Sequence, residues 1–92
     1  MNTFEEHHIG IVWKYLHVQF GFDVKKWKVK FETFREEHNK KNRGYPKNLI
    51  SDFIFFGNNY INPVLNQILG RYDQTNTFNR MVEYITTGKK QI

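Results

Sequence analysis

Residues 24–47 read VKKWKVKFETFREEHNKKNRGYPK, and whether they coil or extend decides what fold the chain makes. Coiled, they place Val24, Trp27, Phe31 and Phe34 at spacings of three, four and three, which is one helical face, with His38 a turn further on. Extended, Lys26 to Thr33 alternate polar with apolar and put Trp27, Val29, Phe31 and Thr33 on one side. The helix is the better reading. Asp23 is a good N-cap, Glu36 with Lys40 and Glu37 with Lys41 make i,i+4 pairs, and no other segment supplies a partner strand. Its cost is Val29, which a helix turns outward. On this reading Trp27, Phe31 and Phe34 point into the core and are not free to stack on anything outside.

The same stretch concentrates the charge. It holds nine of the fourteen Lys and Arg residues against three of the nine Asp and Glu residues, a net +6, while the rest of the chain nets −1. Lys25, Lys26, Lys28, Lys30, Lys40, Lys41, Arg43 and Lys47 are therefore the residues expected to meet a nucleic acid, a nucleoprotein or an acidic protein face. Glu32, Glu36 and Glu37 dilute the C-terminal half, so the N-terminal half and the turn NKKNRGYPK carry this expectation, through charge rather than stacking.

Working outward, Thr3 and Glu6 have the spacing of a capping box for a first helix over Phe4 to Phe20, which Gly21 ends in a left-handed residue. Its apolar positions leave only a narrow polar strip at His7, Gly10, Lys14 and His17, the pattern of a helix in the middle of a bundle or in an oligomer interface. Toward the C-terminus, Asn39 to Tyr45 form a polar turn, and Pro46 sits where a third helix running to Phe56 would begin. Gly57, Asn58 and Asn59 read as a break. Asn62 followed by Pro63 reads as the cap of a short fourth helix ending at Gly70, and Thr75 or Asn76 as the cap of a fifth ending at Gly88. The tail 89–92 is expected to fray. The sum is an all-α fold: one domain over 1–92 with four or five short helices.

A chain of 92 residues buries only about 60–65% of its unfolded surface, and 17% of this one is aromatic. A second copy or a target can complete such a core, which predicts an interface at Trp13, Phe55, Tyr60, Tyr72 and Tyr84 and allows a homodimer. The absence of cysteine removes disulfides and sulfur-ligated zinc. The acidic, polar start MNTFEEHH is unlike a signal peptide, no apolar run is long enough to span a bilayer, and a cytoplasmic protein is expected. Asn, Lys, Ile, Phe and Tyr supply 42 residues and Ala none, a bias of AT-rich coding that points weakly to a phage or other mobile element.

Catalytic and metal chemistry find little footing. His7 and His8 are adjacent, but ten residues of helix put His17 about 15 Å from His7, and neither Glu-x-x-His nor His-x-x-x-His occurs. No metal, cofactor or small-molecule substrate is expected. Ser51, the only serine, lies mid-helix rather than on a strained turn, and Glu36 and Glu37 are more simply surface residues than an acid-base pair. A helix-turn-helix fails at either candidate glycine. With Gly57 in the turn Pro63 enters the second helix, and with Gly70 there Asn76 takes an apolar position. Membrane-surface binding ranks lower because glutamates interrupt the basic face. What is left is a non-enzymatic binding module for nucleic acid or a nucleoprotein or, alternatively, a regulator or inhibitor of the phage or plasmid adaptor or counter-defence kind that grips a protein through exposed aromatics.

Overall fold

The computed structural model describes residues 4–41, 48–70 and 76–87, and among these it is all-α, with no strand. The order is α1 (Glu6–Phe20), α2 (Val24–Lys41), α3 (Leu49–Phe56), a π-helical turn (Gly57–Ile61), α4 (Asn62–Leu69) and α5 (Thr77–Thr87). No helix among the described residues is long and apolar enough to cross a membrane.

Helix α1 starts two residues later than expected, with Glu5 as its extended N-cap. The residue that reaches back is His8, whose Nδ1 accepts the Glu5 backbone N–H at 2.8 Å. An imidazole acceptor thus takes the place of the Glu6 carboxylate, and Thr3 lies outside the described residues. Gly21 ends the helix at φ 72°, its N–H donating to the His17 carbonyl at 3.0 Å. Residues 24–41 are helical, and Val29 does point outward, 63% exposed. Asp23 serves as the start, its Oδ1 accepting the Lys26 N–H at 3.3 Å. The expected Glu36–Lys40 and Glu37–Lys41 pairs do not close to ion-pair distance; each would add only about 0.3–0.5 kcal/mol to an exposed helix.

The largest departure lies at residues 57–62. Gly57, Asn58 and Asn59 do not break the chain, and Asn62 is not a cap. Gly57 (φ −61°, ψ −44°) and Asn62 (φ −56°, ψ −44°) are both helical, and the Asn62 N–H reaches the Gly57 carbonyl five residues back. Helices α3 and α4 are therefore two halves of one rod joined by a widened turn. Pro63, which has no N–H and whose ring crowds the carbonyl four residues earlier, explains the widening: a π turn placed just before it opens the space a regular helix would deny. At the start of the rod Asn48 is the cap, accepting the Ser51 N–H at 2.9 Å; Pro46 and Lys47 lie outside the described residues. Gly70 ends it at φ 68°.

Three asparagines fasten α5. Asn76 Oδ1 accepts the Asn79 N–H at 3.1 Å, Asn62 Oδ1 accepts the Phe78 N–H at 2.9 Å, and Asn66 Oδ1 accepts the Thr77 hydroxyl at 2.7 Å. Thr75 and Gly88 lie outside the described residues. Phe78, fully buried, lays its ring against the backbone of Gly57, so closely that a Cβ there would fall 2.0–2.4 Å from three ring carbons.

Phe53 is the centre of the core. It is fully buried, and its ring meets Trp13 of α1 at 5.3 Å, Phe31 of α2 at 5.5 Å and Phe78 of α5 at 5.9 Å between centroids. Beside it Asp52, 8% exposed, accepts a 3.0 Å hydrogen bond from Arg35 Nε, which ties α2 to α3.

Two predictions follow from this packing. Gly57→Ala should lower unfolding free energy by roughly 1–3 kcal/mol through overpacking against Phe78, while Gly10→Ala, on an open helical surface, should raise it by roughly 0.5–1 kcal/mol. Urea denaturation of the pair reads both signs. Arg35→Met leaves the Asp52 carboxylate buried without its partner and should cost roughly 1–3 kcal/mol, most of it recovered when Asp52→Leu is added.

Candidate functional site: a basic cleft and an aromatic groove on the two flanks of α2

Helix α2 buries only Phe31 completely, so both of its flanks face solvent. On one flank it meets α1 across a cleft of about 680 Å³. Lys14 and His17 of α1 face Lys25 and Lys28 of α2 there, over a floor that includes Trp13, Phe22 and the open surfaces of Gly10 and Gly21. Asp23 is the single carboxylate of the lining, and its Oδ1 is engaged at the start of α2. Among the described residues no carboxylate lies within ion-pair distance of Lys14, Lys25 or Lys28. Their charges are not spent inside the fold.

On the other flank α2 faces the rod of α3 and the π turn across a groove of about 500 Å³, lined by Trp27, Val29, Lys30, Thr33, Phe34, Glu37, Phe56 and Tyr60. Trp27 and Phe34 point toward the core and pack against it, as the helical periodicity implied, but they are only half-buried and also form walls of the open groove. Phe31 alone is fully inward, because the rod covers only the middle of the α2 face. Lys30 Nζ sits 4.7 Å over the Trp27 ring. Phe34 stacks on Phe55 at 5.6 Å with planes 16° apart and on His38 at 5.2 Å and 21°, and it meets Tyr60 edge-on at 5.7 Å. Phe55 and Tyr60 are 49% and 50% exposed.

The residues singled out in the sequence are therefore dispersed. Lys25 and Lys28 border the cleft, Lys30 borders the groove, and Lys26, Lys40 and Lys41 are exposed and line neither. Arg43, Lys47 and Tyr72 lie outside the described residues. Trp13, expected at an interface, is 5% exposed and packs against Phe31 and Phe53; its place on the most apolar part of α1 made it core. Tyr84 is half-buried against Tyr15 at 6.1 Å. Ile11 and Val18 of α1 are 46% and 62% exposed, so the apolar surface of that helix is only partly covered. The sequence reading missed Lys14 and His17 as site residues. Their position on the polar strip of α1 was visible, but its partner on α2 was not.

At the N-terminal end Glu5, His7 and His8 bring potential ligand atoms within 4.8 Å of one another, His7 Nδ1 lying 3.5 Å from Glu5 Oε2. The spacing of His7 from His17 gave no hint of this grouping. Two features oppose a cation there. His8 Nδ1 is committed to the Glu5 N–H, and the positive end of the α1 dipole points at the same place.

Comparison with known protein families, with curated proteins and with solved structures returned no match to this chain.

The two tryptophans report on the two environments. Acrylamide should quench Trp27 several-fold more strongly than Trp13, so Trp27→Phe should leave a blue-shifted, quench-resistant emission. Equal quenching of both would contradict the half-open groove.

Proposed function

We propose that this chain is a non-enzymatic module that binds a polyanion, a nucleic acid or a nucleoprotein, across the α1–α2 face. The observation that carries the proposal is the convergence of Lys14, Lys25 and Lys28 on one cleft with no carboxylate partner at ion-pair distance among the described residues. Lysines neutralised internally would have little left for a ligand; these three are available. Each lysine that reaches a phosphate releases condensed counterions, so affinity falls with salt in proportion to the number of contacts. The surplus of +6 in residues 24–47 supplies the longer-range attraction.

Binding of a labelled oligonucleotide should weaken steeply between about 50 and 300 mM salt, and the slope of log K against log salt should fall by roughly three units when Lys14, Lys25 and Lys28 are all changed to Glu. Affinity indifferent to salt, or a triple variant with the parental slope, overturns the proposal.

The half-exposed Phe55 and Tyr60 favour a second reading, a regulator or inhibitor that grips a protein or a second copy through aromatics. A complex of that kind would survive high salt and be lost on Phe55→Asp or Tyr60→Asp.

A further inference from the structure

We infer that the groove between α2 and the π turn is a platform for unpaired bases, so that the preferred ligand is single-stranded nucleic acid. This rests on the polyanion reading above and narrows it. His38, Phe34 and Phe55 form a compact cluster in which each ring meets the other two, with centroids 5.2, 5.5 and 5.6 Å apart, and Phe55 within it and Tyr60 beside it are half-exposed. A flat base can lie against the exposed part of such a ring cluster through its own π face, whereas an aliphatic side chain gains only contact area.

The charge around the groove matches a strand. Residues 26, 30, 33, 37 and 41 follow one another at spacings of four, three, four and four along one stripe of α2; Lys30, Thr33 and Glu37 line the groove, and Lys26 and Lys41 continue the stripe beyond its two ends. Lys30 and Glu37 balance within the groove, and Lys26 and Lys41 at the ends of the stripe give it a net +2. The facing wall, Phe56 and Tyr60, is uncharged, and Phe55 lies beside it against Phe34 and His38. One wall therefore offers cations to a phosphate backbone and the other offers rings to the bases. Duplex bases are already stacked on one another and have no face to give. A protein segment has no regular array of anions to follow both flanks of α2, the lysine-lined cleft on one side and this wall on the other.

Fluorescence anisotropy with an oligo-dT of about 15 nucleotides and a duplex of the same length, at one low salt concentration, separates the possibilities. The strand should bind more tightly than the duplex. Phe55→Ala and Tyr60→Ala should each weaken strand binding by roughly tenfold and leave duplex binding within about twofold, and Tyr60→Phe should restore the strand affinity. Both positions are half-exposed, so far-UV circular dichroism of each variant should match the parent. Equal or tighter duplex binding, or strand binding indifferent to both rings, overturns this inference while the polyanion reading stands. If neither strand nor duplex binds, the polyanion reading itself fails, and a salt-resistant protein complex lost in the same two variants would give the groove to a protein instead.

Discussion

The ring of Phe78 occupies the space that any side chain at position 57 would need. This contact holds α5 against the rod formed by α3, the π turn and α4, and it is reinforced from the side by the Asn62 side-chain Oδ1, which accepts the Phe78 N–H. With α5 in place, Phe78 closes one side of Phe53, and Phe53 in turn is the ring on which Trp13 and Phe31 converge. The core thus depends on close approach of a ring to bare backbone. Such packing tolerates almost no change in volume, since interiors are already near crystal density. In a small domain that buries a modest share of its surface, one contact of this kind is a sizeable part of net stability.

The placement of α2 follows from the same frame. Phe31 reaches the centre, and the Arg35–Asp52 pair anchors the helix one turn later, where Asp52 is nearly buried and the Arg35 guanidinium also lies 5.9 Å from the Phe31 ring. Trp27 and Phe34 add ring contacts to Phe22 and Phe56 on either side of this line, and beyond them α2 faces solvent. The cleft and the groove are both consequences of a long, lysine-rich helix being held along only one narrow strip of its surface.

Much of this was legible in the residues. The three-four-three spacing of Val24, Trp27, Phe31 and Phe34 gave the helix, Val29 was correctly placed outside, and Gly21, Gly70 and Asn76 marked boundaries through local chemistry that needs no distant partner. What could not be read depended on residues far away in sequence. Asn62 looked like a cap for the helix it precedes, but its oxygen serves Phe78, sixteen residues on. Gly57 looked like a breaker, yet its missing side chain answers to that same Phe78. The periodicity of α2 marked an inward direction but not how far the rod would cover it, so the half-open state of Trp27 and Phe34 and the meeting of Lys14 with Lys25 and Lys28 were both out of reach. At the N-terminus His8 displaced Glu6 as the group that reaches back because a neutral imidazole nitrogen accepts a hydrogen bond as a carboxylate does.

The widened turn also sets the phase of the rod. Phe53, Phe56, Ile61 and Leu65 face inward, at spacings of three, five and four. In an uninterrupted α-helix the position four after Phe56 would turn inward, and that position is Tyr60. The π turn inserts one residue of arc, so Ile61 takes the interior place, fully buried, and Tyr60 is rotated out to half-exposure. A single-residue insertion in a helix therefore exchanges an aliphatic for an aromatic on the outer surface while leaving the inner row apolar. Removing one residue between 57 and 60 would bring Ile61 to four positions after Phe56, so a regular helix could keep the same inner row without the widened turn.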